Sequence, residues 1–498
     1  MREDPENRMK AEGELLRSPS AFLRSRVGET EFDPVLKEYE AWWKAEGQSI
    51  SDAVDRAGTP WVRMFDKAGK RIDELLYPPE YWHMLDRGYR AGVLWRAFEH
   101  KSLVPSFLLI YVTSFFDSGL SCPYTVSLST ALPLSKYGDA ELKQRFLPDL
   151  LQKETPWQGA TWMTEIKGGS DLGANVETTG VQQGEMWCLT GDKYFASNAG
   201  AELAVVAARP RGAPSGVRGL ALFLVPRYRK DGRLNYTIRR LKDKIATRSV
   251  PTGEVELRDS EAYLLGKAED GIYEILEVLN VSRIANSMGS VALAQRAIAD
   301  SLDFAESRIA FGRPIIHHPL LWQQFTQRLQ DLRGGFALAW EACKLLNDVW
   351  EERRPYSDRY HLFRLMAHLA KFWTAEFAVR AAKWCMEVHG GLGVVEEFRV
   401  ERWLREAMIL AIWEGTAHRQ MLDALEVIEH KKAHHSLLKW VEMRSEAPEL
   451  REAVSKIDEH LQLPNEQREA GWEPIATNLA RVTASVFSNQ LTAGSPAR

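Results

Sequence analysis

The chain has 498 residues, enough for two to four domains or one large subunit with a substantial core. Hydrophobic residues make up 45% and charged residues 27%, as in ordinary globular proteins, and the net charge of -4 gives no overall electrostatic case for nucleic-acid binding. The cysteines Cys122, Cys188, Cys343 and Cys385 lie far apart without a CxxC pair, which argues against both a disulfide framework and a cysteine zinc site.

The first 35 residues are polar and charged, and we expect them to form a loosely ordered extension. They lack the apolar stretch of a signal peptide. The most apolar early run, Phe107 to Phe116, is interrupted by Thr113 and Ser114 and is too short to span a bilayer, which favours a buried helix. We therefore expect a cytoplasmic protein with no membrane segment.

Residues 36–157 have the pattern of a helical domain. Apolar side chains recur every three or four residues, as in the stretch from Glu141 to Leu147. The pattern changes at 158–268, where short β-rich runs such as Ala204 to Ala208 and Leu220 to Val225 alternate with turn clusters. This second segment predicts an antiparallel β domain.

Residues 269–430 predict a four-helix bundle, because long amphipathic stretches are joined there by short connectors. The four stretches run from Ile284 to Ser307, from Leu320 to Trp350, from His361 to His389 and from Ile412 to His430. Residues 431–498 follow as a helical tail that prolines interrupt. The predicted fold is therefore mainly α with a central β domain.

The most informative motif is the segment Ile412-Trp413-Glu414-Gly415-Thr416. It places one carboxylate beside hydrophobic residues and directly before a glycine that allows close backbone approach. A buried carboxylate is a poor anion, so its pKa rises toward neutrality, and such a pKa suits a general base. A helix end with Gly415 as its C-cap is the alternative, and these five residues alone favour that alternative.

Two segments of the β domain combine glycine, hydroxyl and aromatic residues. In the segment from Thr164 to Asp171, paired glycines and hydroxyls would let the backbone approach a planar ligand, although a polar turn has the same composition. Further along, Phe195 and Ser197 share one strand face and could stack on and hydrogen-bond a planar ring. Ordinary strand alternation explains that spacing equally well.

Two of the long helices end in segments that could approach a phosphate. The segment from Arg308 to Pro314 offers a guanidinium that could pair with a diphosphate, but it also reads as a basic helix terminus with stop signals. The segment from His389 to Gly393 contains three glycines, which allow close approach of backbone to a ligand. Glycine-rich turns also occur without any ligand, so neither segment decides the matter alone.

Two histidine pairs, His317-His318 and His434-His435, invite a metal interpretation. Neither pair has the spacing that puts two imidazoles on one helix face, nor a carboxylate in a recognised pattern. We interpret them as surface residues and predict no metal site. The sequence also contains no P-loop, no G-x-S-x-G elbow and no paired-carboxylate signature.

Taken together and in order, these segments resemble the acyl-CoA dehydrogenase family over roughly residues 120–430. The matching stretches are Lys136 to Gly138, Gln144 to Pro148, Met163 to Asp171, Lys193 to Asn198, Lys244 to Thr252, Leu264 to Gly266, Arg308 to Gly312, His389 to Gly393, Val400 to Glu406 and Ile412 to Thr416. The resemblance implies an N-terminal α-domain, a β-domain and a C-terminal four-helix bundle that bind FAD and oxidise an acyl-CoA thioester.

The resemblance also implies roles for individual residues. Glu414 falls at the position of the base that removes the α-proton, and flavin N5 would accept the hydride. The residues implied to bind FAD are Met163, Thr164, Gly169, Ser170, Phe195, Ser197, Arg308, Phe311, Gly390, Gly391 and Thr416. Those implied to bind the substrate are Ser170, Arg283 and Gly415.

The resemblance further implies partners. Arg308 and Phe311 would reach the FAD of a neighbouring subunit, so we expect a homo-oligomer, with a tetramer favoured over a dimer. An electron-transfer flavoprotein would take the electrons, and the process served would be fatty acid metabolism. Some branches of the family carry the base near the position of Ser282 and Arg283; this chain has no carboxylate there, so Glu414 has no rival.

Several departures resemble the branch that contains the adaptive-response protein AidB. They are Ile166-Lys167-Gly168 in place of Pro-Gly-Ala, Phe195 in place of Trp, Ser197 in place of Thr, and Glu387 in place of Gln. In that branch DNA binding through a basic C-terminal region has been proposed. Here residues 431–498 carry nine Lys and Arg against nine Asp and Glu, so their net charge is zero and nucleic acid is not an expected partner.

Two alternatives to a dehydrogenase stay open on the sequence. The first is an AidB-like, flavin-bearing stress-response protein that binds acyl-CoA or DNA with little turnover. The second is oxidase chemistry, in which oxygen takes the electrons on the same fold.

Overall fold

A computed structural model describes residues 12–493 of the chain. These residues form two compact units, each assembled from separate stretches of sequence. Unit 1 contains the described residues up to Lys44, Leu103–Phe116 and the chain from Arg283 onward; unit 2 contains Ala45–Ser102 and Asp117–Ser282. The predicted N-terminal helical domain, 36–157, thus supplies residues to both units.

Helices make up most of the described chain. In chain order they are α1 Pro19–Val27, α2 Asp33–Trp42, α3 Gln48–Ala57, α4 Tyr81–Ala91, α5 Trp95–Glu99, α6 Val104–Phe116, α7 Ser121–Tyr137, α8 Ala140–Leu150, α9 Leu172–Asn175, α10 Gly271–Ser307, α11 Pro319–Val349, α12 Asp358–His389, α13 Val400–Ile412, α14 Ala417–Lys431, α15 Ala433–Glu442, α16 Pro448–His460, α17 Asn465–Ala470 and α18 Trp472–Ala493.

The strands form one large sheet and two hairpins. They are β1 Trp61–Phe65, β2 Arg71–Leu76, β3 Gly159–Trp162, β4 Thr179–Gln183, β5 Met186–Ser197, β6 Leu203–Pro210, β7 Ala221–Pro226, β8 Tyr236–Leu241, β9 Thr252–Leu264, β10 Ile309–Ala310 and β11 Arg313–Pro314. The seven-stranded sheet of unit 2 has the order β3-β6-β4-β5-β9-β7, with β8 paired to β9. A further pairing of β6 with β7 closes a ring through β4, β5 and β9.

The sheet is mixed rather than purely antiparallel. Strand β6 pairs in parallel with β3 and β4, while the other pairings are antiparallel. The parallel pairs arise because β5 reverses the chain after β4, so that β6 returns in the direction of β3 and β4. The nearly continuous apolar sequences of β6 and β7 are buried, and with Trp162, Ile238 and Leu257 they form the core of the sheet.

One hairpin lies where the sequence pattern predicted only helices. Strands β1 and β2 pair antiparallel around a turn in which Asp66 Oδ1 accepts hydrogen bonds from the backbone N–H groups of Ala68 and Lys70. Gly69 supplies the left-handed conformation of that turn, with φ of 79°. The helical prediction was wrong at 61–76 because this local turn chemistry was not recognised.

The bundle of unit 1 contains the predicted long helices, with one correction. Helix α12 packs against α11, α13 and α14. The predicted helix from Ile412 to His430 is not continuous, because α13 ends at Ile412 and α14 begins only at Ala417. Residues 413–416 therefore connect two helices.

Both ends of the described chain are anchored to this bundle. The N-terminal extension at 1–35 was expected to be loosely ordered; its first 11 residues lie outside the described part of the chain. In the described part α1 buries Phe22, whose ring packs against Tyr111 and Phe336. The C-terminal tail forms α15–α18, and α18 packs along α11. Trp472 in the tail is 1% exposed and donates a hydrogen bond from Nε1 to Met421 O at 2.7 Å.

The apolar run at 107–116 lies inside α6, which is buried from Pro105 to Phe116, as the sequence predicted. None of the helices between residues 12 and 493 combines the length and the apolar character needed to cross a membrane.

Replacing Trp472 with Ala should lower the free energy of unfolding of unit 1 by about 3–5 kcal/mol, because it empties a large buried site and removes a buried hydrogen bond. Chemical denaturation followed by circular dichroism measures the change. Trp61→Ala is the control, since Trp61 is 77% exposed and its loss should change stability by less than about 1 kcal/mol. Equal effects of the two substitutions would contradict an anchored tail.

Candidate active site

The connection between α13 and α14 makes a tight turn with an unusual backbone. Glu414 and Gly415 both adopt left-handed conformations, with φ of 59° and 99°. The φ of Gly415 favours glycine at that position, and a Cβ atom there would also lie 2.5 Å from Gln420 Nε2. For Glu414 the left-handed conformation costs roughly 1 kcal/mol, which the surrounding contacts must offset. Thr416 then serves as the N-cap residue of α14.

Side chains from three helices hold this turn by its carbonyl oxygens. Glu414 O accepts hydrogen bonds from Gln420 Nε2 at 2.9 Å and from Arg283 Nε at 3.3 Å. Gly415 O accepts one from Lys371 Nζ at 2.6 Å. The contacts come from α10, α12 and α14, so the position of Glu414 is determined by the bundle and not by the turn alone.

One oxygen of the Glu414 carboxyl group is buried without a direct partner. Glu414 as a whole is partly buried, while its Oε2 atom is fully covered and accepts no hydrogen bond from any described residue. Burial raises the pKa of Glu414, against the opposing charges of Arg283 and Lys371. The predicted direction of the shift is therefore confirmed, but the groups that face the carboxyl include two cations and not only apolar side chains.

The side chains that bond the turn are themselves oriented by further polar residues, His368 and Asp423. His368 Nδ1 donates to Gln420 Oε1 at 2.9 Å, which leaves Gln420 Nε2 to donate to Glu414 O. Burial, together with the charge of Arg283, lowers the pKa of His368 to about 3, so the ring is neutral at physiological pH. Arg283 also pairs with Asp423, with 3.3 Å between Nη2 and Oδ2.

The ends of β3 and β5 bring together a second group of predicted residues, in unit 2. Tyr194 N donates to Thr164 O at 3.0 Å, and Trp162 Nε1 donates to Ser197 O at 3.0 Å. A Cβ atom on Gly169 would lie 2.4 Å from Thr164 Oγ1, so the glycine loop packs directly on Thr164. Met163 is buried beside Thr164, while Gly169 and Ser170 are exposed.

The surface of this group suits a planar ring. The Phe195 side chain is 53% exposed, and Ser197 Oγ lies 3.1 Å from Thr252 Oγ1. Lys244 Nζ donates to Thr252 Oγ1 at 3.0 Å, so Thr252 can use its own proton to donate to Ser197. The Ser197 proton is then not needed for that hydrogen bond.

A buried ion pair supports the loop that carries Thr164 and Gly169. Glu165 Oε1 lies 2.6 Å from Lys193 Nζ and 2.6 Å from Thr178 Oγ1, and both charged side chains are almost fully buried. Burial favours the protonated form of Glu165, but the charge of Lys193 and the hydrogen bonds outweigh it and hold the pKa of Glu165 below its ordinary value. The loop is therefore attached to the sheet through one carboxylate.

Replacing Glu165 with Gln should lower the free energy of unfolding of unit 2 by about 3–5 kcal/mol at neutral pH, because it leaves the buried Lys193 charge unpaired. The folded-state pKa of Glu165 is lowered, so its contribution is complete above the ordinary carboxyl pKa and is lost as pH falls through the folded-state value. Denaturation curves at several pH values measure both effects.

Glu177→Gln is the matched control for that substitution. Glu177 pairs with Lys167 on the surface, where both side chains are more than half exposed, and such pairs contribute about 1 kcal/mol or less. If Glu165→Gln were as mild as Glu177→Gln, the ion pair would not be what attaches the loop.

The remaining predicted residues lie at the ends of α10 and α12, in unit 1. Phe311 and Gly312 form the two-residue turn of the β10–β11 hairpin, directly after Arg308. The rings of Phe304 and His389 stack with centroids 4.3 Å apart, which brings the end of α10 to the end of α12. Arg308, Phe311, Gly390 and Gly391 are all exposed, Phe311 by 96%.

These ends fit a phosphate-bearing cofactor. No described atom lies within 4 Å of where a Cβ atom would stand on Gly390 or Gly391, so the backbone there is open to a ligand. The Arg308 side chain at the end of α10 is exposed, as pairing with a phosphate requires. At the remaining predicted position, Thr416 Oγ1 lies 3.2 Å from His418 Nδ1.

Several residues of the Glu414 network were not predicted: Lys371, His368 and Gln420. The first two lie in the buried apolar stretch of α12 from Leu365 to Phe372, and a lysine or histidine within such a stretch was the available signal. At the alternative base position, Ser282 is buried and its Oγ lies 3.3 Å from Ser129 Oγ.

The histidine pair at 434–435 is only partly on the surface. His435 is exposed, but His434 is fully buried, which corrects the prediction for that residue. Their Nε2 atoms lie 3.0 and 3.1 Å from Asp458 Oδ1. His434 Nδ1 is buried and has no partner among the described residues, so a metal on Nε2 would bury an unpaired N–H. The geometry favours a pair of hydrogen bonds from His434 and His435 to Asp458, which join α15 to α16.

The comparisons with known proteins agree across the chain. Residues 25–155 match the adaptive response protein AidB N-terminal domain, 160–260 the acyl-CoA dehydrogenase middle domain, and 269–428 the acyl-CoA dehydrogenase C-terminal domain. Acyl-CoA dehydrogenase family member 11 of Caenorhabditis elegans is 31% identical over 435 residues, which cover 82% of this chain and 69% of that relative. The chain therefore belongs to the acyl-CoA dehydrogenase family.

Solved structures share the fold of this chain. The apo form of Bd2924 matches with a TM-score of 0.87 and 28% identity, over 97% of this chain and 98% of that one. Caenorhabditis elegans ACDH-11, solved in complex with C11-CoA, matches with a TM-score of 0.85 and 24% identity, over 96% and 87%. The predicted fold class and AidB-like branch are confirmed, and so is FAD as the cofactor of the family to which the chain belongs.

Proposed function

We propose that this protein is an FAD-dependent acyl-CoA dehydrogenase in which Glu414 removes the α-proton of the thioester. FAD, when bound, supplies the hydride acceptor at N5 for the hydrogen on Cβ. The observation that carries the proposal is the Glu414 carboxyl, held on a left-handed turn with Oε2 buried and unpartnered. A C–H group offers no strong hydrogen bond, so a base for it needs an oxygen that no other donor occupies.

The electrostatics of the turn suit this reaction. Burial makes Glu414 more basic than an ordinary carboxylate, while Arg283 and Lys371 keep the anion accessible. The peptide N–H of Glu414 lies outside the helices, and we propose that it donates to the thioester carbonyl as negative charge develops there. We propose that the substrate is also contacted by Ser170, Arg283 and Gly415.

The proposed cofactor contacts follow the groups described above. Met163, Thr164, Gly169, Ser170, Phe195 and Ser197 are assigned to the flavin ring and the substrate entrance. Gly390 and Gly391 are assigned to the FAD diphosphate or adenosine, and Thr416 is assigned to a further FAD contact. Exposed Arg308 and Phe311 are assigned to the FAD of a neighbouring subunit in a homotetramer, and an electron-transfer flavoprotein is the proposed acceptor. The C11-CoA bound to ACDH-11 supports an acyl-CoA as the substrate class.

Glu414→Gln should leave FAD bound, as judged by the flavin absorbance spectrum, but slow its bleaching by acyl-CoA by about 10²–10⁴-fold. The amide keeps the shape of the side chain and cannot accept the α-proton. Anaerobic stopped-flow absorbance measures the rate, and Glu426→Gln, an exposed change on the adjoining helix α14, is the control. Bleaching by Glu414→Gln at the wild-type rate would show that another group is the base.

A second candidate is favoured by the AidB N-terminal domain match at 25–155. In this version the protein carries flavin and binds acyl-CoA or DNA with little turnover. The zero net charge of residues 431–498 provides no uncompensated cationic tail for phosphates. If the protein only binds acyl-CoA, it differs from a dehydrogenase in that acyl-CoA binds without bleaching the flavin.

Duplex DNA titrated into the holoenzyme at several salt concentrations should show a nearly flat dependence of affinity on salt. A phosphate-binding surface would instead lose about 10³–10⁵ in affinity between 50 and 200 mM salt. Fluorescence anisotropy of labelled DNA provides the measurement. A steep slope would favour the nucleic-acid version of the second candidate over the dehydrogenase.

A further inference from the structure

Lys371 is a fully buried lysine near the middle of α12. Its side chain is 0% exposed, and it forms no salt bridge with any described residue. Its ammonium donates hydrogen bonds to Gly415 O at 2.6 Å and to Ala411 O at 3.2 Å. A buried ammonium is costly unless its donors are used, so a lysine at this position calls for an explanation.

The two acceptors lie on either side of the Glu414 turn. Ala411 O belongs to the last turn of α13, where helix carbonyls lack partners within the helix and carry partial negative charge. Gly415 O follows Glu414 directly. One ammonium therefore ties the end of α13 to the peptide that follows Glu414, across a backbone whose left-handed conformation must be imposed by contacts.

We infer that Lys371 is a positioning residue, which clamps the Glu414 turn and supplies a positive charge that favours the carboxylate form of Glu414. The inference rests on the proposed role of Glu414 as the base. Arg283 contributes similarly, but its charge is compensated by the pair with Asp423, whereas Lys371 has carbonyls as its direct partners.

The charged groups that act on these two residues come from α10, α12 and the connection between α13 and α14. Arg283 on α10 and Lys371 on α12 both favour the anion of Glu414. Around Lys371, burial lowers the pKa to about 7, Glu414 and Glu376 favour the protonated amine, and Arg283 opposes it. Because the positive charge of Lys371 lowers the pKa of Glu414, its removal should raise that pKa further.

The test compares two substitutions at Lys371 in the FAD-loaded protein. Lys371→Met removes both the donors and the charge, while Lys371→Gln keeps amide donors without the charge. Lys383→Met is the control, since Lys383 lies on the same helix, is exposed and pairs with Glu387. The three readouts are kcat and KM for acyl-CoA, the pH dependence of flavin reduction by acyl-CoA, and hydrogen exchange of a peptide covering residues 409–420.

Lys371→Met should reduce kcat about 10–100-fold with KM changed by less than about threefold, because the base is misplaced while substrate contacts remain. The acid limb of the pH profile should move to higher pH, and amides in the turn should exchange faster. Lys371→Gln should restore slow exchange but not the position of the acid limb. Lys383→Met should leave all three readouts unchanged.

An unmoved acid limb together with wild-type exchange in Lys371→Met would overturn the inference. If Lys371→Met does not fold, Lys371→Gln decides, and an unmoved acid limb there overturns the electrostatic part. Failure of the proposed function would look different, because the wild-type protein would then bind acyl-CoA without flavin reduction. In that case the exchange measurement alone still decides whether Lys371 clamps the turn.

Discussion

The left-handed turn at Glu414 and Gly415 is the constraint on which the candidate active site depends. A glutamate avoids that backbone conformation unless its surroundings enforce it, and here three helices contribute donors to the carbonyls of the turn. The backbone, and not the carboxyl, receives these hydrogen bonds. The carboxyl oxygen Oε2 is consequently left unpartnered in a buried position, which is where a base for a C–H proton must be.

In unit 2, too, buried polar groups fix the residues whose surfaces are assigned to the cofactor. Glu165, which precedes the glycine loop, is bound by Lys193 and Thr178. Ser197 is bound by Thr252, which accepts a hydrogen bond from Lys244. The atoms that would face a flavin, such as the Phe195 ring, are left exposed. In both units, therefore, buried charged side chains such as Lys371 and Glu165 hold the backbone in place, while Glu414 Oε2 and the Phe195 ring are left without a direct hydrogen-bond or ion-pair partner in the described chain.

Much of the architecture could be predicted from the sequence, because it depends on periodicity and on the order of motifs. The helical bundle, the β segment and the buried helix at 104–116 follow from apolar spacing. The β1–β2 hairpin could not be predicted that way, since it depends on one aspartate-capped turn. The helix predicted from Ile412 to His430 was wrong at its start, because residues 412–430 keep a helical apolar pattern even though Glu414 and Gly415 leave helical geometry. The alternative of a helix end at this motif had indicated the break.

The candidate site was predictable only in part, for a related physical reason. Motifs identify residues that are neighbours in sequence, whereas Lys371 reaches the turn from 43 residues away and His368 supports it through Gln420 from further still. Apolar neighbours in the sequence were expected to raise the pKa of Glu414, yet Ile412 is exposed and the nearby charges are cationic. Burial and cations act in opposite directions on that pKa. A carboxyl group placed in this way is a stronger base than an ordinary carboxylate, and the cations limit the shift that burial alone would produce.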